Sequence, residues 1–270
     1  MSATFEKILL VGCGNMAGAM LEGWLAAGFD PARFSVVEPG EKPIPAGVAR
    51  HLAPPDAGDF DAILLGVKPQ VLGEVAPAVA KLAGGETMVL SLLAGVELAT
   101  LAERFPRAAA HVRVMPNLAV ALGKAPIALA GRGFDESGRA ALVALMEPLG
   151  APEWVGEEAF DLVTALAGSG PAFVYRFIDA LAEGAAELGL PREQADRLAL
   201  AMVEGAAALA AASPQTPGEL ANRVASPGGM TREGLNVLDA DAALVKLLTE
   251  TLRAARDRGA ELATEARRPR

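Results

Sequence analysis

The chain has one cysteine and two histidines among 270 residues, and both shortages exclude chemistry. A lone Cys13 leaves no disulfide within the chain, and His51 and His111 are too few good ligands for a metal site. Positive charge is also short. Against 33 Asp and Glu stand 24 Lys and Arg, a formal net charge of −9, so no nucleic-acid surface is expected. The basic end Arg267-Arg268-Pro269-Arg270 reads as a short solvated tail. No stretch approaches the roughly 18 uncharged apolar residues of a membrane span, because Glu183, Glu187 and Glu204 interrupt the alanine-rich part. The apolar run Ile8–Val11 near the start is only strand-sized, with no charged segment and long apolar stretch of a leader. A soluble, cytoplasmic protein is the expectation.

What is plentiful is apolar surface to bury. Hydrophobic residues make up 52% of the chain, enough for one large or two ordinary domains. Up to about residue 130, short β-type runs alternate with helical ones. The strands are Lys7–Val11, Phe34–Val37, Ala62–Val67, Thr87–Leu92, Ala109–Val114 and Ile127–Ala130, with amphipathic segments such as Val71–Leu82 and Leu98–Phe105 between them. That alternation predicts a parallel sheet covered by helices on both faces. Asp135–Leu149 reads as a further helix, and Trp154-Val155 as a last edge strand.

Beyond Asp161 the strand signal stops. Phe173, Phe177, Ile178, Leu181, Ala185 and Leu188 keep helical spacing until Gly189-Leu190-Pro191 ends it. Ala195, Leu198, Met202, Ala206 and Leu209 mark a second helix, and Leu244, Leu247, Leu248, Thr251 and Ala255 a third. The small residues of the second helix favour close approach, so this part is expected to pair with a copy of itself. The expected domains are 1–160 and 161–270, with the boundary near Glu158–Ser169.

Two glycine-rich turns carry the chemistry. The first, Gly12-Cys13-Gly14-Asn15-Met16-Ala17-Gly18, follows a strand and opens a helix read as Ala19–Ala27. Gly12 permits the tight turn, Gly14 lets the backbone approach a pyrophosphate, and Ala17 or Gly18 lets the helix pack on the strand. Dinucleotide binding is the expected role, and Cys13 needs only to be small there. The second, Ser226-Pro227-Gly228-Gly229-Met230-Thr231, runs into a helical segment read as Arg232–Leu238. Its bare N–H groups and the helix dipole suit a small anion. Taken alone, it is equally an ordinary turn between helices.

In order along nearly the whole chain, these motifs resemble those of the pyrroline-5-carboxylate reductase family. The opening Gly12-Cys13-Gly14-Asn15-Met16 is similar to its first loop, and Gly66-Val67-Lys68-Pro69-Gln70 to its AVKPQ loop. Ser91-Leu92-Leu93-Ala94-Gly95-Val96 and Val114-Met115-Pro116-Asn117 are similar to its next two loops. Thr164–Phe173 resembles its TALSGSGPAY junction, and Pro217-Gly218-Glu219-Leu220 with Ser226–Thr231 its PGQL…SPGGTT signature. The opening loop is shared with other dehydrogenases; the junction and the late turn are far more specific.

The resemblance implies a Rossmann-like α/β domain followed by an all-α dimerisation domain, and a homodimer or larger oligomer of dimers. It implies an oxidoreductase acting on a CH–NH group with NAD(P) as acceptor, completing proline synthesis by reducing a cyclic imine. NADP(H) or NAD(H) would be held by Gly12, Cys13, Gly14, Asn15, Met16, Gly66, Val67, Lys68 and Pro69, with the loops of Ala94, Gly95 and Asn117 alongside. The substrate carboxylate would sit on the backbone of Ser226, Gly228, Gly229 and Met230, and Thr231 would be catalytic, beside the imine nitrogen. The ordinary alternative for Thr231 is a helix N-cap. Met230 stands where the family has Thr or Ala, and Asn222-Arg223 replaces an acidic-led pair. A glutamate found upstream in some members corresponds here to the region of Pro214.

Cofactor choice is open. Glu38 ends the second strand where an acid would take the ribose hydroxyls of NADH and repel a 2′-phosphate, whereas the family commonly uses NADPH. Lys42 stands near enough to counter that repulsion. Two other classes compete: a hydroxyacid-type dehydrogenase on the same scaffold and a non-catalytic dinucleotide-binding module. The first typically needs a lysine in the helix after the junction, which here offers Tyr175 and Arg176; the intact late turn argues against the second.

Overall fold

The computed structural model describes residues 5–266, so the basic tail 267–270 lies outside the described residues. Two compact units divide the chain, one of residues 1–169 with 255–270 and the other of residues 170–254.

The first unit is built on one eight-stranded sheet in the order β3-β2-β1-β4-β5-β6-β7-β8. The strands are β1 Ile8–Val11, β2 Phe34–Val37, β3 Ala49–His51, β4 Ala62–Leu65, β5 Met88–Ser91, β6 Ala110–Met115, β7 Ala125–Arg132 and β8 Gly150–Trp154. From β3 to β6 every pairing is parallel. All four residues of β1 and of β4 are buried, as expected of central strands covered on both faces. Successive side chains serve opposite faces. Ile8 and Leu10 pack with residues of α1 (Asn15–Ala26) and α4 (Glu136–Met146), while Leu9 and Val11 pack with α2 (Leu72–Val79) and α3 (Leu98–Arg104). Trp24 of α1 fixes the first layer: its ring stacks on Phe34 at 5.5 Å, and its Nε1–H donates to Leu145 O at 2.7 Å.

The fully parallel sheet expected from the alternation needs correction. β7 runs antiparallel to β6, and β8 then pairs parallel with β7. Residues 116–124 are too few for the crossover of about a dozen residues or more that a parallel neighbour requires. The last edge strand ends at Trp154 and begins at Gly150, earlier than expected. β3 was not foreseen, because Ala49-Arg50-His51 is a mostly exposed edge with no apolar alternation. The unit closes with α5 (Phe160–Val163) running into one π-helical turn, Thr164–Gly168.

Arg113 of β6 is buried in this closing region. Its guanidinium lies 4.0 Å from the Phe160 ring centroid and 3.5 Å from both Glu157 and Asp161. Glu157 also accepts from Leu98 N at the start of α3, at 2.7 Å.

The second unit contains α6 (Gly170–Glu187), α7 (Arg192–Ala212), α8 (Pro217–Val224), α9 (Met230–Asp239) and the first part of α10 (Ala243–Ala266). Gly189, with φ of +108°, ends α6: Leu190 N–H donates to Ala185 O and Gly189 N–H to Ala186 O, a Schellman close. α8 starts on a capping box in which the Thr216 hydroxyl accepts from Glu219 N and Glu219 accepts from Thr216 N. The side chains that α6 and α7 bury between them are Ala182, Ala195 and Ala199, with Ile178, Ala185 and Leu190 partly buried beside them. Leu198, Met202 and Leu209, which mark the second helix in the sequence, are exposed. Among the described residues no helix is long and apolar enough to cross a membrane.

Candidate functional site

The expected cofactor residues of the first unit gather at one edge of its sheet, since the loops after β1, β4, β5 and β6 all leave the carboxyl ends of parallel strands. Gly12 has φ of +88°, and a Cβ there would stand 2.9 Å from Val67 Cγ1. Gly66 is equally confined, because a Cβ would meet Ala17 Cβ and Gly12 O, each at 2.7 Å. Only glycine at both positions lets the loops after β1 and β4 touch. Gly14, by contrast, is exposed and open, its nearest neighbour to an added Cβ being Gly66 O at 3.9 Å. It is also the N-cap of α1 and lends no side chain to the first helical N–H groups. Asn15 and Met16 thus begin the helix itself, four residues earlier than the sequence suggested, because extended Gly14 turns the chain straight into it. An open glycine, unsatisfied helix N–H groups and bare backbone fit a pyrophosphate.

Lys68 is exposed, Val67 and Pro69 are half-buried, and Ala94 and Gly95 follow β5, Gly95 with φ of +74°. Asn117 is buried, and its side chain serves the protein. Its amide donates to Ala167 O at 2.9 Å and its carbonyl oxygen accepts from Ala119 N at 2.9 Å. The Cys13 side chain is buried, and burial pushes its thiol up, with Lys42 opposing and Glu38 and Glu22 adding to the rise. It therefore stays protonated and unreactive at neutral pH.

Glu38 is half-buried at the end of β2 and reaches back to the glycine loop. One carboxylate oxygen accepts from Cys13 N at 3.2 Å and the other from Gly40 N at 3.0 Å. Lys42 lies along the loop's other side, donating to Cys13 O at 2.7 Å and Gly14 O at 3.2 Å. Arg50 of β3 donates from Nε to Glu38 O at 3.2 Å, and from Nη2 to Gly40 O.

The late turn belongs to the second unit. Gly229 N–H donates to Ser226 O at 3.0 Å, with Pro227 second and Gly228, φ +69°, third. Those are the demands of a type II turn. Gly229 is then the N-cap of α9, again without a side-chain cap. Thr231 stands inside the first helical turn and is exposed, so the N-cap alternative for it is wrong. A Cβ on Gly228 would meet nothing within 4 Å, whereas one on Gly229 would stand 2.5 Å from Ser226 Oγ. Among the described residues no group of three or more His, Cys, Asp and Glu comes together as a metal site.

Comparison with known proteins agrees with these motifs. A family model described as pyrroline-5-carboxylate reductase dimerisation matches residues 157–262, and one described as NADP oxidoreductase, coenzyme F420-dependent, matches residues 7–95. The chain is 32% identical over 265 residues to a pyrroline-5-carboxylate reductase of Methanosarcina acetivorans, covering 95% of this chain and 98% of that one. To its namesake in Pseudomonas aeruginosa it is 32% identical, covering 96% and 97%. The chain belongs to the pyrroline-5-carboxylate reductase family. Its fold follows that of a pyrroline-5-carboxylate reductase solved from Coxiella burnetii, with a TM-score of 0.88 at 30% identity over 96% of this chain and 99% of the other.

Within this pyrroline-5-carboxylate reductase family member, the departures at Met230 and at Asn222-Arg223 lie around the late turn. Met230 is almost fully solvent-exposed, at 94%. Asn222 accepts from Arg232 Nη2 at 3.1 Å, and the same nitrogen reaches Ala225 O at 3.4 Å. Arg232 thereby ties the first turn of α9 to the end of α8. Sequence reading missed Arg232 and Arg50, since neither sits in a motif. It also missed α8, although Thr216 three residues before Glu219 is a capping-box signal.

Proposed function

We propose that the chain reduces the C=N bond of 1-pyrroline-5-carboxylate to give L-proline, the last step of proline synthesis, using NAD(P)H. The observation that carries this reading is the late turn: a positive-φ glycine and an uncapped helix start, in a member of this reductase family. The proposed dinucleotide-binding domain is 1–160, with Gly12, Cys13, Gly14, Asn15, Met16, Glu38, Gly66, Val67, Lys68, Pro69, Ala94, Gly95 and Asn117 around the cofactor. The proposed substrate-binding and dimerisation domain is 161–270. A homodimer, larger assemblies of dimers and a cytoplasmic location complete the proposal.

The backbone of Ser226, Gly228, Gly229 and Met230 holds the substrate carboxylate, helped by the positive end of α9. Thr231 orients the ring nitrogen by a hydrogen bond and, second to that, relays a proton to it. A threonine hydroxyl is a weak acid, so orientation is its larger part. Reduced nicotinamide, when bound, supplies the hydride for the imine carbon. One hydride to carbon and one proton to nitrogen convert C=N to CH–NH. The chemistry needs no covalent nucleophile, and holding two reactants in contact is worth up to about 7–11 kcal/mol.

Oxidation of NADH and of NADPH, followed in separate assays with pyrroline-5-carboxylate, tests the reading. Substrate-dependent oxidation with L-proline as product is expected with at least one of them. No oxidation with either, in a folded protein that binds dinucleotide, would overturn it.

A further inference from the structure

We propose that Glu38 makes this enzyme select NADH over NADPH, its carboxylate taking the adenosine ribose hydroxyls and repelling a 2′-phosphate. The inference rests on the dinucleotide reading of the glycine loop. Glu38 directly follows β2 and lies 20 positions beyond Gly18, the spacing at which dinucleotide-binding folds place the acid that meets the ribose.

What the structure adds is how that carboxylate is held. Bonds from Cys13 N–H and Gly40 N–H, at 3.2 and 3.0 Å, engage one lone pair on each oxygen. A carboxylate has about four acceptor sites, so two remain for a pair of hydroxyls. The acid is fixed against the same loop whose open glycine suits the pyrophosphate.

The neighbouring cations complete the case. A 2′-phosphate is dianionic or nearly so and needs charge-assisted donors around it. Lys42 gives two of its three N–H donors to Cys13 O and Gly14 O, and Arg50 two of its five to Glu38 O and Gly40 O. Lys42 thus braces the glycine loop and Arg50 the turn after β2, so that each cation is already anchored on carbonyl oxygens and keeps only part of its donor set for a phosphate. Glu41, exposed in the same segment, adds a second negative charge.

The test is direct binding of each reduced cofactor to the full-length protein without substrate, read from nicotinamide fluorescence. Wild type should bind NADH at least tenfold more tightly than NADPH at low ionic strength, and the gap should narrow as salt screens the repulsion. Glu38→Gln keeps an acceptor for the loop but loses the charge, and should cut the gap at least fivefold, mainly by tightening NADPH. Glu38→Ser should cut it further. Lys42→Ala should weaken both cofactors by the same factor. Tighter NADPH than NADH in wild type, or a Glu38→Gln protein with an unchanged ratio, overturns the role of Glu38. So does a Lys42→Ala loss confined to NADPH, which would put the ammonium on the 2′-phosphate. Binding of neither cofactor overturns the inference and the dinucleotide reading together, whereas two equal dissociation constants overturn the inference alone.

Discussion

In the first unit the largest fully buried side chains are Trp24, Phe34, Phe105 and Phe160, packed with Ile, Leu and Met from both faces of the sheet. In the helical unit the buried residues are all alanines: Ala182, Ala195, Ala199 and Ala225. Its larger apolar side chains face outward, among them Tyr175, Leu198, Met202, Leu209, Val245 and Leu247. The sheet unit buries its strands and its largest aromatic side chains within itself, by the two-sided burial that parallel strands demand, although Leu52, Leu118, Leu122, Leu162 and Leu166 stay exposed. The helical unit holds its helices together through alanine contacts and leaves many of its larger apolar side chains exposed, the kind of surface that marks an interface. It is half of a core, and the match to a dimerisation family over residues 157–262 fits a second copy supplying the other half.

The comparison breaks most severely at the outward stripe of α7. Leu198, Met202 and Leu209 lie on one face of that helix at spacings of four and seven. Met202→Glu with Leu209→Glu should raise the dimer dissociation constant at least about a thousandfold, since each apolar side chain is worth about 1.5–3 kcal/mol when buried and a two-fold interface counts it twice. Sedimentation equilibrium checks this, and an unchanged dimer would move the interface to another face. A cavity in the self-sufficient unit comes next. Trp24→Ala should cost about 3–5 kcal/mol in denaturant unfolding while leaving the dimer contact intact.

Smaller effects sharpen the contrast. Thr231→Ala should lower kcat about tenfold to a hundredfold, a lost hydrogen bond to the reacting group being worth about 1–3 kcal/mol. Its melting temperature should stay put, because the exposed hydroxyl is not the cap of α9. An unchanged kcat would remove Thr231 from the chemistry.

The smallest effect is electrostatic and belongs to the sheet unit. His111 is buried in β6 with Nε2 3.0 Å from Phe105 O. Burial holds its pKa below the ordinary value, the Phe105 carbonyl opposing and Arg132 adding to the drop. Below about pH 6.5 the unfolded chain takes up a proton that the folded imidazole resists, so stability should fall with pH from there. His111→Gln should flatten that part of the melting-temperature profile; an identical slope would assign the loss to other groups.

How much of this was legible in the sequence differs between the units as well. Strand positions and the two-faced sheet could be read from Ile8–Val11 and Ala62–Leu65, because a short apolar run between turn residues has few other uses. The reversal at β7 could not be read from apolar pattern, which does not record strand direction; only the shortness of residues 116–124 bears on it. In the helical unit the 3.6-residue spacing located α6 and α7 without separating the seam residues Ile178, Ala185 and Ala195 from the exposed Leu198, Met202 and Leu209. Periodicity marks an apolar face without saying which surface covers it, and the small residues of α7 announce close approach without saying whether to α6 or to a second copy. At the site, glycines announced both turns, since each position needs open space or positive φ. The links made by Lys42, Arg50, Arg232 and Asn117 join residues distant in sequence, and no local pattern encodes them.

The central claim is that the two regions divide the work, the sheet unit holding the cofactor and the helical unit the substrate. Gly228→Val tests it most directly, because a branched residue opposes the φ of +69° and fills the space proposed for the carboxylate. The account predicts an NADH dissociation constant within about twofold of wild type and a KM for pyrroline-5-carboxylate raised more than about tenfold, a loss of over ~1.4 kcal/mol confined to substrate. Equal losses in cofactor and substrate binding would contradict it, and would make the turn a prop of the fold.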